Sequence, residues 1–244
     1  MAARPRSEPF AERACPLGAC DGSGWILGPE DVARPCECRE ARLKRGRIRG
    51  VASAIPPRYR GVSFDRPPVS DMARSAETRA AVDRVREFID GLDANLKLGK
   101  GLWLFGDTGT GKTTLAMLVS KAAIEGGRSV AIYSLPKLLA RIRRTYDGGP
   151  GEDSYSAFFQ RLTSVDLLHI DDFGAEKRSD WVLEQLYSLV NERYEDERSI
   201  LLTTNLAMDK LEEQIGRRTV SRLTETCEQV PLFGSDRRLE NAPY

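Results

Sequence analysis

Two kinds of apolar pattern alternate along the chain from residue 78 onward. Short runs rich in Leu, Ile and Val predict β-strands at residues 101–105, 130–134, 166–170, 200–204 and 230–233. Apolar residues at helical spacing predict helices at residues 78–92, 114–123, 136–145, 154–162, 180–195 and 208–215. Because strands that alternate with helices are typical of α/β proteins, we expect a parallel five-stranded sheet flanked by helices.

The first 58 residues lack this alternation and are rich in Pro, Gly and Cys. A Gly-Ser-Gly turn precedes one short apolar piece at residues 25–27, and the charged residues 37–49 favour a helix. The pair Pro56-Pro57 predicts an extended linker, since proline disfavours helix in the residue before it. We therefore expect a small amino-terminal module at residues 1–58 and the α/β domain at residues 59–244.

The turn between the predicted strand 101–105 and helix 114–123 has the pattern of a phosphate-binding P-loop. Its glycines allow successive backbone N–H groups to face phosphates, Lys112 places a positive charge near the β and γ oxygens, and the Thr113 hydroxyl is a ligand for Mg²⁺. The sequence therefore predicts ATP and Mg²⁺ as cofactors. The predicted nucleotide-binding residues of this turn are Gly106, Asp107, Thr108, Gly109, Thr110, Gly111, Lys112, Thr113 and Thr114.

Polar side chains follow two later predicted strands. Asp171 and Asp172 end the strand at 166–170 and resemble the Walker B motif, in which the first carboxylate holds Mg²⁺ and the second orients and deprotonates the attacking water. Asn205 follows the strand at 200–204, where it would bond the γ-phosphate or the water, or cap the helix predicted from residue 208. We expect Lys112, Asp172 and Asn205 to be catalytic.

The carboxyl-terminal third adds two arginine-bearing motifs, residues 216–223 (Gly-Arg-Arg-Thr-Val-Ser-Arg-Leu) and 234–238 (Gly-Ser-Asp-Arg-Arg). With the Walker motifs and the Thr-Thr-Asn strand end, this region resembles the DnaC/DnaI/IstB-like branch of AAA+ ATPases, which includes replicative helicase loaders and transposition helper ATPases. The resemblance implies the AAA+ (ASCE) form of the P-loop NTPase fold and a homo-oligomer. It also implies that Arg222 acts catalytically as an arginine finger toward a neighbouring subunit, and that Arg238 is the sensor 2 arginine, or Arg237 if the match slips by one.

Function and partners follow from the same resemblance. It implies an ATPase that loads a DnaB-type replicative helicase on single-stranded DNA, or else an IstB-like helper of a transposase on duplex DNA. The P-loop and acidic strand ends would also fit a small-molecule kinase, although a monomeric kinase does not need a finger arginine. A DNA-binding module that is gated by ATP without hydrolysis is a further alternative.

Four cysteines lie close together before the α/β domain: Cys15, Cys20, Cys36 and Cys38. Without an amino-terminal signal sequence a disulfide framework is disfavoured, and four thiolates suit a tetrahedral Zn²⁺ site. DnaI-type loaders carry a similar front segment that docks partners, although the usual spacing is Cys-x2-Cys and this chain has Cys-x4-Cys. Free thiols in a disordered arm are the alternative, and Cys227 is expected to be a core residue.

The formal net charge of +1 hides an uneven distribution. Residues 1–62 contain 12 Lys and Arg against 7 Asp and Glu, whereas residues 63–244 contain 25 against 29. A basic run at residues 39–49 and a second cluster, Arg141, Arg143 and Arg144 with Tyr146, are either DNA-contacting surfaces or solvated faces. No apolar run approaches a membrane span, so we expect a cytoplasmic protein with no membrane partner.

Overall fold

The computed structural model describes residues 15, 17–21, 23–28, 32–39, 55–147, 154–174 and 176–237. The chain divides into two units, Met1–Gly50 and Val51–Tyr244. Most of the basic run at 39–49, the helix predicted there, the Gly-rich loop at 148–151 and Arg238 lie outside the described residues.

The amino-terminal unit contains a short antiparallel hairpin. Strand β1 (Trp25–Leu27) pairs with β2 (Ala33–Pro35), and the Cys36 amide beyond β2 donates to the Gly24 carbonyl before β1 at 3.0 Å. Within the described residues of this unit, the buried side chains are those of Cys36 and Cys38. Apolar burial therefore contributes little to its stability.

The second unit alternates helices and strands after a 3-10 turn at Pro57–Tyr59. Its helices are α1 (Val69–Arg74), α2 (Arg79–Asp90), α3 (Leu92–Lys97), α4 (Lys112–Glu125), α5 (Leu135–Asp147), α6 (Tyr155–Ser164), α7 (Asp180–Glu195), α8 (Met208–Ile215) and α9 (Arg217–Thr226). Its strands are β3 (Gly101–Gly106), β4 (Val130–Ser134), β5 (Leu167–Asp171), β6 (Ser199–Thr204) and β7 (Cys227–Leu232). No helix in the described part of the chain is both long and apolar enough to cross a bilayer.

The five strands form one parallel sheet in the order β4-β5-β6-β3-β7, which confirms the predicted fold class. Strand β6 lies between β3 and β5, although it follows both in the chain. Since the carboxyl ends of parallel strands share one edge, the residues that follow β3, β5 and β6 converge there.

Three helices and part of one strand were not predicted. The helices α1 and α3 have six residues each, too few to show a helical period, and α9 buries only Thr219, Val220 and Leu223. Strand β7 begins at Cys227 instead of residue 230. Its first residues were not predicted because they include polar side chains, of which Glu228 is exposed. Pairing with β3, and not local composition, makes these residues a strand.

The core has two layers because alternate strand residues face opposite sides of the sheet. One side packs Trp103, Ile170 and Leu202 against apolar residues of α5 to α9. On the other side, β5 faces α4, where His169 contacts Ser120. Both faces are covered, so the strands are apolar throughout, as expected for a parallel sheet.

The segment predicted to be an extended linker packs on the second unit. Ile55 and Val62 are buried, and Lys121 of α4 donates to the Val62 carbonyl at 2.9 Å. The second unit therefore starts ahead of the predicted boundary at residue 59.

His169, the only histidine of the chain, is fully buried in β5. Its Nδ1 lies 2.9 Å from Ser120 Oγ, and its Nε2 has no partner among the described residues. Burial lowers the pKa of His169 to about 3. The ring is therefore neutral at physiological pH and joins α4 to the strand that ends at Asp171.

Acidification should destabilise the protein through this residue. In the unfolded chain the pKa of His169 returns to about 6.5, so the unfolded state binds one more proton between the two pKa values. The stability contribution is complete above pH 6.5 and is lost as the pH falls from there toward 3. From pH 7.5 to 5.5 we expect an extra loss of roughly 1.5 kcal/mol of unfolding free energy. Urea unfolding of the wild type and His169→Gln at both pH values measures it, and equal losses in the two proteins would contradict it.

Candidate nucleotide site

The P-loop of this chain connects β3 to α4 and has a backbone that requires glycine. Gly106, Gly109 and Gly111 have φ values of 132°, 79° and 102°. A Cβ at Gly106 would overlap the Leu232 carbonyl oxygen, and one at Gly109 would overlap the Asp236 carboxylate. These positions therefore exclude larger residues both by conformation and by space.

Lys112 is the first residue of α4 and is 6% exposed. Its Nζ donates to the Gly106 carbonyl at 2.9 Å and to the Asp107 carbonyl. The ammonium group is thus held over the loop at the start of a 14-residue helix, where backbone N–H groups and the helix dipole also favour an anion.

Asp171 ends β5 and accepts two hydroxyl hydrogen bonds. Thr113 Oγ1 donates to Asp171 Oδ1 at 2.9 Å, and Thr203 Oγ1 of β6 donates to the same oxygen at 2.7 Å. Thr113 and Asp171, which the sequence predicted as Mg²⁺ ligands, are therefore in direct contact. Hydroxyl and carboxylate oxygens are the ligand types that Mg²⁺ prefers, so this pair fits the ion.

Asp172 follows Asp171 in a left-handed backbone conformation with φ of 56°. The Thr203 hydroxyl accepts a hydrogen bond from the Asp172 amide at 3.0 Å, and the Thr203 carbonyl accepts one from the Phe173 amide at 2.7 Å. Thr203 thus holds both acidic residues. Thr203 belongs to the Thr-Thr-Asn strand end, but the sequence predicted no role for it.

Asn205 is exposed and lies beyond β6, on the same cavity as Asp172. The residue that precedes α8 at its amino terminus is Ala207, and no side chain caps that helix. The alternative role of Asn205 as a helix cap is therefore wrong, whereas its catalytic role stays a prediction.

The cavity at this edge of the sheet has a volume of about 270 Å³. It brings together P-loop residues, Asp172 and Asn205 from distant parts of the sequence. It is lined by Arg58, Tyr59, Pro68, Met72, Gly109, Gly111, Lys112, Thr113, Thr114, Asp172, Asn205 and Arg237. The first four residues of this set were not predicted. Arg58 and Tyr59 belong to the segment predicted as a linker, and Pro68 and Met72 reach the cavity only through tertiary packing.

The segment after β7 crosses the P-loop. The Asp107 amide donates to the Leu232 carbonyl at 3.0 Å, the Gly234 amide donates to the Asp107 carboxylate at 3.1 Å, and the Arg237 amide donates to the Gly109 carbonyl at 3.3 Å. Arg237 Nη2 also donates to Thr78 Oγ1 at 3.0 Å. Arg237 therefore lines the cavity, while the predicted sensor 2 residue Arg238 lies outside the described residues.

A protein-family model, described as IstB-like ATP binding protein, matches residues 86–243 of this chain. The match covers the P-loop, both acidic residues and the carboxyl-terminal arginines. The chain belongs to the IstB-like ATP-binding family. The description of this family names ATP binding, and the cavity of Lys112, Thr113 and Asp172 is the candidate site for the nucleotide.

Relatives of this IstB-like protein include bacterial replication proteins. It is 27% identical over 173 residues to YdaV of Escherichia coli (strain K12), covering 70% of this chain and 65% of YdaV. It is 25% identical over 187 residues to the replicative helicase loader DnaC of the same strain, covering 76% of this chain and 72% of DnaC. A crystal structure of the DnaC helicase loader superposes with a TM-score of 0.62 at 26% identity, covering 72% of this chain and 99% of the other.

Arg222, the predicted arginine finger, lies in α9 outside the lining of this cavity. Its guanidinium carbon stands 4.1 Å from the ring centroid of Tyr194 in α7. In this IstB-like domain, Arg222 therefore lies away from the P-loop of the same chain.

The second basic cluster forms a continuous surface with aromatic rings. Tyr146 is 55% exposed and stacks on Tyr155, with ring centroids 5.1 Å apart, and Tyr155 stacks on Phe159 at 5.5 Å. Arg143 stands 4.6 Å over the Trp181 ring. We call these residues of α5, α6 and α7 the basic–aromatic surface.

In the amino-terminal unit, the structure brings Cys15, Cys20, Cys36 and Cys38 together. Their four Sγ atoms lie within 4.8 Å of one another, with 3.9 Å between Cys15 and Cys36 and 3.5 Å between Cys20 and Cys38. These separations are too long for disulfides, and all four residues are free thiols. Cys227 is buried in the other unit, as predicted.

Loss of the Thr203 hydroxyl should weaken binding of Mg²⁺ and ATP. Thr203→Val keeps the side-chain shape but removes one donor to Asp171 and leaves the Asp172 amide without an acceptor, at a cost of about 1–3 kcal/mol. We expect Mg²⁺-dependent ATP affinity to fall about tenfold in Thr203→Val and to be retained in Thr203→Ser.

Titration of a fluorescent ATP analogue, with and without Mg²⁺, measures this effect. Thr204→Val is the matched control, because the Thr204 hydroxyl accepts from the Leu206 amide and contacts neither acidic residue. Wild-type Mg²⁺-dependent affinity in Thr203→Val would show that the hydroxyl does not organise the site.

Proposed function

We propose that this protein is an ATP-dependent loader that places a replicative helicase on single-stranded DNA and hydrolyses ATP as a homo-oligomer. The observation that carries the proposal is the cavity that joins Lys112 and Thr113 to Asp172 and Asn205. Similarity to the DnaC helicase loader supports the choice of partner.

Hydrolysis requires a placed water and charge neutralisation more than covalent chemistry. Lys112 and the backbone N–H groups of α4 hold the phosphates, and Thr113 with Asp171 would hold Mg²⁺, which neutralises charge on the β and γ oxygens. Asp172 orients the attacking water and takes its proton, and Asn205 bonds the water or the γ-phosphate. The turn that Thr203 fixes keeps Asp172 at the cavity.

Two arginines complete the site. We assign the sensor 2 role to Arg237, the alternative in the sequence analysis, because it lines the cavity and is held by Thr78. Arg222 would reach the γ-phosphate of a neighbouring copy, which its position outside its own cavity supports. A permanently charged guanidinium suits the charge that spreads over phosphoryl oxygens in the transition state.

Single-stranded DNA would contact the basic–aromatic surface. Arg141, Arg143 and Arg144 are exposed on α5, the helix that also carries the exposed Tyr146. Guanidinium groups attract the phosphate backbone, and an exposed ring stacks on a base without sequence preference. This combination suits a protein that binds single strands of any sequence.

The amino-terminal unit would bind Zn²⁺ and dock the helicase. With Zn–S bonds of about 2.3 Å, a tetrahedral site separates its sulfurs by about 3.8 Å, close to the observed 3.5 and 3.9 Å. Metal binding would supply the stability that so small a unit lacks. Leu17, Trp25 and Val32 are exposed on this unit, where they would contact the partner.

The loader function predicts nucleotide-dependent recovery of a helicase. The tagged full-length protein is purified from its own cells with ATP or with ADP, and mass spectrometry identifies its partners. We expect a hexameric helicase at least about fivefold enriched in one nucleotide state, since γ-phosphate contacts shift the population of states. With purified components, ATP should then increase helicase retention on single-stranded DNA.

The matched variants for this experiment are Lys112→Ala and Lys121→Ala. Both lysines lie in α4, but only Lys112 lines the cavity, so only Lys112→Ala should abolish ATP-dependent loading. Recovery of a transposase without a helicase would instead identify a transposition helper. Transfer of labelled γ-phosphate to a metabolite would indicate a kinase, and absence of hydrolysis with DNA and partner present would indicate an ATP-gated binding module.

Metal analysis tests the zinc site. We expect about one Zn²⁺ per chain in the purified protein and close to none in Cys38→Ser, because three thiolates hold the ion much less tightly than four. Cys227→Ala is the control. Because Cys227 lies in the other unit, this variant should retain the zinc. A zinc-free wild type that retains four titratable thiols in this unit would refute the site.

A further inference from the structure

The partly exposed side chain of Arg222 contacts an aromatic ring. Its guanidinium lies over the Tyr194 ring at 4.1 Å, and in the described part of the chain its side chain forms no hydrogen bond or ion pair. A carboxylate is nearby in sequence, at Glu225, but it is engaged elsewhere.

Glu225 holds the tyrosine instead of the arginine. Tyr194 Oη donates to Glu225 Oε2 at 2.8 Å, and Ser221 Oγ donates to Glu225 Oε1 at 3.4 Å. The phenol ring is therefore tied to α9 at its hydroxyl end, while its backbone belongs to α7. This fixes the ring face on which Arg222 lies.

An arginine that stacks on a ring and one that pairs with a carboxylate differ in whether their N–H donors are occupied. A carboxylate pairs with the edge of the guanidinium and occupies its N–H donors, which lie in the plane of the group. A ring under the flat face attracts the charge but leaves that edge directed outward. Arg222 is thus held in place while its donors stay suited to a second, bidentate partner such as a phosphate.

The nucleotide cavity of the same copy lies away from Arg222. Strand β7 follows α9 and pairs Cys227 with Gly101 and Leu232 with Gly106, so α9 ends at the sheet edge opposite the P-loop. Five residue steps of about 3.3 Å separate the two edges by roughly 16 Å. Arg222 lies one helical turn before that end and is absent from the cavity lining.

We propose that Tyr194 is a positioning residue that holds the Arg222 guanidinium face-on, so that its edge meets the γ-phosphate bound to an adjacent copy. The proposal rests on the proposed function, since it requires hydrolysis in an assembly. Tyr194 does not touch the nucleotide of either copy, and it acts through Arg222.

Steady-state ATPase measurements on the assembled full-length protein separate positioning from binding. In Tyr194→Leu we expect kcat to fall about three- to thirtyfold, the range of a cation–π contact that becomes desolvated, with KM for ATP within about twofold of wild type. Tyr194→Phe retains the ring under the guanidinium but loses the hydroxyl bond to Glu225 that fixes the ring, so its kcat should lie between those of wild type and Tyr194→Leu. Tyr187→Leu, the same change in the same helix, should leave kcat and KM unchanged.

Mixed oligomers show whether Tyr194 acts across the interface. Lys112→Ala subunits cannot use ATP but present an intact Tyr194–Arg222 pair to a neighbour. Mixed in equal amounts with Tyr194→Leu subunits, they place an intact pair beside about half of the Tyr194→Leu sites in a random head-to-tail assembly, so activity per Tyr194→Leu subunit should rise to about half of wild type or more. A purely structural defect within the Tyr194→Leu subunit would not be rescued.

The outcomes separate the two proposals. Suppose that Arg222→Ala has lost assembly-stimulated turnover. A wild-type kcat in Tyr194→Leu, or equal losses of kcat in Tyr194→Leu and Tyr194→Phe, would then overturn the positioning role of Tyr194 alone. Normal stimulated turnover in Arg222→Ala overturns the finger itself, and the positioning role with it. Recovery in the mixture of Arg222→Ala with Lys112→Ala, together with recovery for Tyr194→Leu, supports both.

Discussion

The position of β6 between β3 and β5 determines how the nucleotide site is built. It places Thr203 between the strand that leads into the P-loop and the strand that ends in Asp171. One hydroxyl then donates to the Asp171 carboxylate and accepts from the Asp172 amide. Without this intervening strand, the acidic residues would lack the contacts that fix their backbone and their distance from Thr113.

The two units of the protein are stabilised by different physical means. The second unit buries apolar residues on both faces of a parallel sheet, with His169 and Ser120 paired between β5 and α4. The first has a hairpin of two three-residue strands and four clustered thiols in place of such a core. A division of this kind would let the first unit respond to metal and partner while the ATP site keeps its geometry.

The sequence predicted the fold and much of the cavity because those features are local. Lys112 and Thr113 belong to one short motif, and Asp171 with Asp172 ends an apolar run that is easily recognised. Tyr59 and Met72 were missed because they reach the cavity through tertiary packing, which leaves no periodic signal. Arg237 and Arg238 are adjacent in the sequence, so motif spacing alone does not choose between them for the sensor 2 role.

The route of β7 and the segment after it has a consequence for the biosynthesis of the protein. β7 is the last strand in the described part of the chain, yet it pairs with β3, which leads into the P-loop, and the residues beyond it contact Asp107 and Gly109. A ribosome therefore releases the P-loop long before it releases the residues that hold the loop in shape. A nascent chain therefore carries every Walker residue before the residues that contact Asp107 and Gly109 have been synthesised.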